Sequence, residues 1–349
     1  MDQERPPAGT PSGRPRVLVL APLAAELSRR LAAVCEVVER PSGELDEAAV
    51  AALVPGFDGL LALLVHRVGE AVFAAAPSLA MVANHAVGVD NVDLAAAARH
   101  GVVVTNTPGV LTDDTADLTW ALILAVTRRL VEADAYVRAG RWTGWRPDLL
   151  IGRSLTGATL GVVGAGRIGQ AVLGRAAGFC MRRLYASRRP LPAEREAALG
   201  VARRELPELL AEADVVSLHV PLGPETRHLI DGPALARMKP TAVLVNTSRG
   251  PVVDEAALAA ALAAGRLGGA GLDVFEEEPR IHPGLMERPD VVLLPHVGSA
   301  TAETRFRMAE LCVEDLTTFF GQRRVPARSL TGAPGAGAGA ETLTVGSRT

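Results

Sequence analysis

Leu160-Gly-Val-Val-Gly164-Ala165-Gly166-Arg167-Ile168-Gly169-Gln170 is the stretch on which the fold turns. It is a G-x-G-x-x-G segment that follows a β-branched run and opens a helical one. Gly164 permits a tight turn, Gly166 lets the backbone approach a pyrophosphate, and Gly169 lets helix and strand pack closely. The free N–H groups and positive end of the helix then meet an anion. In a chain with 35 glycines the alternative is a bare Gly-rich turn, and the strand–turn–helix context argues against it.

Outward from this motif, short β-branched runs alternate with Ala/Leu/Arg-rich helical stretches, the pattern of parallel sheets with crossover helices. Expected strands lie at Arg16–Leu20, Glu36–Glu39, Gly59–Val65, Leu79–Asn84 and Val102–Thr105, then at Thr159–Val163, Arg183–Ser187, Val215–His219, Ala242–Asn246, Gly269–Val274 and Val291–Leu294. Between the two series, Thr112–Arg138 reads as one long connecting helix, with Ala116, Trp120, Ile123, Leu124, Thr127 and Leu130 at helical spacing. A last helix spans roughly Thr301–Phe320. If it returns to the first domain, the chain crosses between domains twice, near residues 108 and 297.

The 349 residues, 48% hydrophobic and 21% charged, can bury a large core and favour two domains. No apolar run reaches the roughly 18 residues of a membrane helix. A net charge of −3 without blocks of like charge offers no footprint for nucleic acid or an anionic bilayer. Cys35, Cys180 and Cys312 are far apart, which provides neither a disulfide framework nor a metal site and fits a reducing cytoplasm. Residues 1–15, rich in proline, read as a disordered arm, and the Gly/Ala/Thr-rich 331–349 as a disordered tail. Lys239 is the single lysine among 36 basic residues, so basic chemistry falls to arginine and histidine.

The strand after the glycine motif selects the dinucleotide. An NAD enzyme usually ends it with an acidic residue on the ribose hydroxyls. Here Arg183-Leu-Tyr-Ala-Ser187 runs into Arg188-Arg189 with no Asp or Glu. A hydroxyl and guanidinium forks bond a 2′-phosphate that a carboxylate repels. NADPH/NADP is therefore the preferred cofactor, with NADH possible; solvated surface arginines are the other reading.

Open parallel sheets bind ligands beyond the carboxyl ends of their strands. Three polar residues stand there in the second series: Arg249 in Asn246-Thr-Ser-Arg-Gly250, Glu278 in Asp273-Val-Phe-Glu-Glu-Glu278-Pro279, and His296 in Leu294-Pro-His-Val-Gly-Ser299. Arginine can hold a carboxylate and polarise a keto oxygen. Histidine can protonate that oxygen as hydride arrives, and a carboxylate on its other nitrogen fixes the tautomer. Alone, the histidine reads as structural and Glu276–Glu278 as a solvated turn; together they suit reduction of a 2-keto acid. His66, His100, His228 and His282 show no comparable company. Val87 and Gly88 form a tight turn whose backbone N–H groups can grip a carboxylate.

From Asn84 to Arg324 the chain resembles the D-isomer-specific 2-hydroxyacid dehydrogenases, most of all the glyoxylate/hydroxypyruvate reductases. The matching segments are Ala86-Val-Gly-Val-Asp-Asn-Val-Asp93, Val104-Thr-Asn-Thr-Pro108, Val110-Leu-Thr-Asp-Asp-Thr-Ala-Asp117, Val163–Gln170, Leu244–Gly250, Gly271–Pro279 and Pro295-His-Val-Gly-Ser-Ala-Thr301. The resemblance implies Arg249 as substrate binder, His296 as acid/base and Glu278 as its partner, with Val87 and Gly88 as the substrate-carboxylate loop. It places Thr112, Arg167, Ile168, Pro221, Thr226, Thr247 and Asp273, beside Arg249 and His296, at the cofactor. It further implies a homodimer through the cofactor domain, with Trp142 and Trp145 resembling a segment that reaches the partner's active site.

Motifs and resemblance together give two Rossmann-like or flavodoxin-like α/β domains with parallel sheets. An NAD(P)-binding domain at 109–296 is inserted into a discontinuous substrate-binding domain at 16–108 and 297–330. The expected activity is NADPH-preferring reduction of glyoxylate or hydroxypyruvate to glycolate or D-glycerate in a cleft between the domains. A reductase for a larger acid such as 2-ketogluconate and a dinucleotide-sensing, corepressor-like binding protein are the alternatives. Two residues depart from the family pattern: His85 stands where many relatives carry tyrosine, and Ser187 replaces the acidic end of the cofactor strand.

Overall fold

A computed structural model describes residues 13–41 and 43–332. The described chain forms two units, one holding residues up to Pro108 and from Arg305 on, the other Gly109–Thr304. The expected arm lies outside the described residues except for 13–15, and the expected tail except for Thr331 and Gly332.

The first unit carries β1 (Arg16–Val19), β2 (Glu36–Glu39), β3 (Gly59–Leu63), β4 (Met81–His85) and β5 (Val103–Thr105), all parallel in the order β2-β1-β3-β4-β5. Because successive side chains face opposite sides, Leu18, Leu60, Val82 and Val104 build one core and Val17, Val19, Leu61, Met81 and Ala83 another. The second core is closed by helices Ala25–Ala32 and Ala302–Gln322, the latter through Ala309, Cys312, Val313, Leu316 and Phe320. Gly59 makes that approach possible, since a Cβ there would lie 2.8 Å from the Phe320 ring. Past this helix the chain returns to β5: Ser329 bridges Thr105, Leu330 N–H donates to Val104 O, and the Thr331 hydroxyl both accepts from Val104 N–H and donates to Val102 O. Thr331 is thus bonded into the edge of the sheet, against the expectation of disorder from that residue on.

The second unit carries β6 (Thr159–Val163), β7 (Arg182–Ala186), β8 (Val201–Arg203), β9 (Val215–Leu218), β10 (Val243–Asn246), β11 (Gly269–Leu272) and β12 (Val291–Leu293). Its order, β12-β11-β10-β9-β6-β7-β8, is parallel throughout and reverses direction between β6 and β9. That reversal opens a crevice beyond the strand ends, and the glycine motif leaves β6 directly into it. Strand β8 was missing from the expected set, because three residues between Gly200 and the following helix carry almost no pattern.

The connecting helix differs more. It stops at Thr127, Arg129 turns left-handed at φ 52°, and a separate helix follows at Leu130–Arg138. The cause lies in the chain that returns later: Arg153 N–H takes the Thr127 carbonyl at 2.8 Å, which a continuing helix needs for its own ladder. The first segment is buried through Ala116, Trp120, Leu122 and Ile123, with Trp120 stacked on Phe179. The second buries nothing. The second crossing between units falls at 304/305 rather than 296/297. The intervening loop is tied to the second unit by Val297 N–H on Asp273, the Thr115 hydroxyl on Gly298 O, and the Thr301–Asp114 side-chain bond at 2.5 Å.

Lys239 has a structural place. Asp214, just before β9, accepts the Thr159 N–H at 2.8 Å and the Lys239 ammonium at 2.7 Å, joining the starts of β6 and β9. Burial works to raise the Asp214 pKa, but these two donors overcome it and hold the carboxyl below its usual range. Asp214→Ala should lower stability by about 2 kcal/mol at pH 7, mostly from the orphaned N–H because the half-exposed ion pair is screened. A carboxylate with a depressed pKa stabilises above its unfolded pKa and loses that contribution as pH falls through the folded one. Urea denaturation should therefore show the gap between wild type and variant narrowing in acid below the ordinary carboxylate range.

Candidate active site

Two glycines of the motif, Gly164 and Gly169, are required by the protein's own packing. Gly164 has φ 97°, and a Cβ there would lie 2.6 Å from His219 O. A Cβ at Gly169 would lie 2.0 Å from Gly164 O, so this residue sets the contact between helix Arg167–Arg175 and the turn. At Gly166 the Cβ direction is open, with no atom within 4 Å. Arg167 is exposed and Ile168 partly buried in the first turn. A turn closed on two sides and open on the third, capped by a helix N-terminus, fits a pyrophosphate.

Beyond β7, Ser187 is partly buried and Arg188 and Arg189 are exposed, with no carboxylate between Ala186 and Pro192. Arg188 contacts Glu225 at 2.9 Å in a solvent-exposed pair. Thr226 holds its own loop, its hydroxyl bonding Pro221 O at 2.7 Å and Gly223 N–H at 2.9 Å.

The loop after β10 is shaped by Asn246. Its amide donates to Arg249 O at 2.9 Å, and its Oδ1 accepts from the Ser248 N–H and hydroxyl. Thr247 is buried against the Thr119 hydroxyl at 2.9 Å. Gly250 is forced by the neighbouring loop, since a Cβ there would lie 1.7 Å from Phe275 O. This close contact sets Arg249 beside the 275–278 segment.

Glu278 is no solvated turn residue. Its Oε1 accepts the Phe275 N–H at 3.0 Å and its Oε2 meets His296 Nδ1 at 2.8 Å. Burial works to raise its pKa, yet His296, the Phe275 N–H and the Arg249 charge together hold it below the usual carboxylate range. The three residues expected at the strand ends therefore act on one another. His296 sits at φ 55°, held by its N–H on Asp273 O at 2.8 Å. Asp273 is 1% exposed; burial pushes its carboxyl up, against the pull of the Val297 N–H. With Nδ1 on a carboxylate, the Nε2 of His296 is the atom left to exchange a proton with a substrate oxygen.

Thr112 opens helix Thr112–Thr127, on the same unit, with Thr115 and Thr119 following it in the next turns. In the other unit, Val87 and Gly88 lie beyond β4. The carbonyls from Ala86 to Gly88 accept from Thr107 N–H, Asn106 and Asn84, leaving the N–H groups of Val87 and Gly88 without an acceptor among the described residues. His85, at the end of β4, is buried; burial pushes its pKa down to about 4, with the Arg305 charge acting the same way, so the ring is neutral near pH 7.

Several partners were not legible in the sequence. Thr115 and Thr119 look like ordinary helix residues, and Arg203, whose guanidinium bonds Ser187 O, lies on the missed strand β8. His228 also has company after all, meeting Glu276 at 2.5 Å. His66 and His282 are used structurally, on Gly43 O and as a helix cap, and His100 pairs with Glu70. Among the described residues no group of three or more His, Cys, Asp and Glu side chains is placed to hold a metal. No helix of the described residues is long and apolar enough to cross a membrane.

Residues 120–298 match the family model for the D-isomer specific 2-hydroxyacid dehydrogenase, NAD binding domain. The chain is 52% identical over 266 residues to a glyoxylate reductase of Thermococcus litoralis, covering 75% of this chain and 80% of that protein. A glyoxylate reductase of Pyrococcus furiosus is 51% identical over 271 residues, 76% of this chain and 80% of that one. Among solved structures, an NADPH-dependent glyoxylate/hydroxypyruvate reductase from Sinorhizobium meliloti, in complex with NADP and malonate, superposes with TM-score 0.81 at 36% identity, over 92% of this chain and 98% of that chain. Given this match over a parallel sheet with its glycine turn at the switch point, the chain belongs to the D-isomer specific 2-hydroxyacid dehydrogenases and is an NAD(P)-dependent oxidoreductase.

Proposed function

We propose that the protein reduces glyoxylate or hydroxypyruvate to glycolate or D-glycerate, with NADPH as the preferred donor and NADH the weaker one. The observation that carries the chemistry is the 2.8 Å contact between His296 Nδ1 and Glu278 Oε2 at the carboxyl ends of β11 and β12. The relatives that are glyoxylate reductases support the substrate class. The open side of Gly166 and the helix it caps fit the cofactor's pyrophosphate. Ser187, Arg188 and Arg189 fit a 2′-phosphate, since the turn that carries them holds no carboxylate of its own and Glu225, on Arg188, is solvent-exposed and displaceable.

When bound, the nicotinamide supplies the hydride. Arg249 holds the substrate carboxylate and polarises the keto group. His296 delivers the proton from Nε2 to the oxygen as charge develops on it. Glu278, kept ionised, stabilises the imidazolium before transfer and fixes the ring so that Nε2 faces the substrate. Thr112, Arg167, Ile168, Pro221, Thr226, Thr247 and Asp273 line the cofactor's side of the site.

We also infer a homodimer through the second unit. Leu130, Val131, Val137, Trp142, Trp145 and Ile151 are all more than half exposed. Large apolar residues so close in sequence mark an association surface, and a second copy of this chain is the occupant we assign. Light scattering should report a dimer, and Trp145→Glu with Val131→Glu should give a monomer; a wild-type monomer would refute the assignment.

Turnover decides the substrate and cofactor. NADPH and NADH, each tested with glyoxylate, hydroxypyruvate, pyruvate and 2-ketogluconate, should give the highest kcat/KM for NADPH with one of the first two. Higher efficiency with 2-ketogluconate, or with NADH throughout, rejects the proposal. His296→Asn should cut reduction by about two orders of magnitude or more while NADPH binding, followed by fluorescence, stays nearly intact. Glu278→Gln removes the charge that faces His296 Nδ1, so kcat should fall by about tenfold or more with NADPH binding kept; an unchanged kcat would leave Glu278 no part in the proton transfer.

A further inference from the structure

We propose that Arg203 is a third guanidinium of the adenosine 2′-phosphate site and, with Ser187, Arg188 and Arg189, determines the preference for a phosphorylated dinucleotide. The proposal rests on the NADPH reading above.

Arg203 ends β8 and is paired in register with Tyr185 of β7, two residues before Ser187. Its Nε and Nη2 both donate to Ser187 O, at 3.3 and 3.2 Å, so the guanidinium lies against the first residue of the turn. Tyr185 fixes the other end, its hydroxyl accepting the Leu191 N–H at 2.9 Å while donating to Glu196. The Ser187–Pro190 turn is therefore pinned at both ends by a cross-strand pair, which pre-shapes it for a ligand.

Charge points the same way. Arg188 and Arg189 are exposed and long, and ordering their side chains costs entropy. The Arg203 side chain is 36% exposed against 84% for Arg188, and it is already held. Its Nη1 takes no part in the Ser187 contact. Its ionic partner, Glu205, approaches at 3.2 Å with a carboxylate 68% exposed. A pair this open contributes little, so a phosphomonoester dianion can displace it readily. The chemistry recognised is a phosphate on a ribose hydroxyl, which three guanidinium groups and a serine can surround.

Calorimetry with 2′,5′-ADP and 5′-ADP on the full chain isolates this contact from turnover. Arg203→Met should weaken 2′,5′-ADP by about ten- to a hundredfold, the loss expected for one charge-assisted hydrogen-bonded group. Binding of 5′-ADP should change less than about twofold, which also checks folding. Arg203→Lys should restore part of the loss, and the KM for NADPH should rise in Arg203→Met with kcat and the KM for NADH held. Equal weakening of both nucleotides, or of neither, in a protein whose wild type favours 2′,5′-ADP would overturn the role of Arg203 alone. A wild type that binds both equally would overturn the NADPH reading and this proposal with it.

Discussion

Asp273 is the residue on which the geometry of the site depends. It stands just past β11, almost wholly buried, and bonds in three directions. Its N–H reaches Asn246 O of β10 at 3.0 Å, its carbonyl accepts the His296 N–H, and its Oδ1 accepts the Val297 N–H at 2.8 Å. One residue thus ties together the ends of three adjacent strands. Without these bonds nothing would keep His296 in a left-handed conformation, which costs a non-glycine residue of order 1–3 kcal/mol. The strain is local and the support is main-chain, so the imidazole is placed by the sheet rather than by its own rotamer preference.

A second layer of support comes from the helix that leads into the unit. Thr119 bonds Thr115 O and Thr247, and Thr115 bonds Gly298 O. The two hydroxyls, one turn apart, therefore reach the loop after β10 and the loop after β12. Trp120, on the next residue, donates to Val172 O in the helix that follows the glycine turn. The same helix thereby braces the helix after the glycine turn on one side and the loops after β10 and β12 on the other. Its burial also explains why it ends at Thr127: the packed face runs out, and the returning chain at Arg153 claims the free carbonyl.

The legible parts of this protein were those with a strong local pattern. The β-branched runs marked eleven of the strands to within a few residues, because parallel strands buried on both faces read as continuous apolar segments. The glycine motif and the polar residues after β10, β11 and β12 were visible for a related reason, since a turn that must approach an anion restricts residue choice. What could not be read was cross-chain. Strand β8 has only three residues and pairs on one side, so its pattern is too short to register. The break at Arg128–Arg129 depends on a hydrogen bond from a residue more than twenty positions later. Glu276 is another instance: its pairing with His228 is set by the fold and has no signature in spacing.

The scarcity of lysine acquires a physical meaning at this point. Lys239 is spent on Asp214 at the far end of the sheet, joining strand starts. Every basic side chain near the strand ends is an arginine, from Arg249 beside Glu278 to Arg203 against Ser187. A guanidinium holds its charge at any working pH and presents a planar fork, so it can bind a carboxylate or phosphate without taking part in proton exchange. Histidine is the side chain at the rim formed by β10, β11 and β12 whose chemistry allows it to do so, and Glu278 and Asp273 hold it in place.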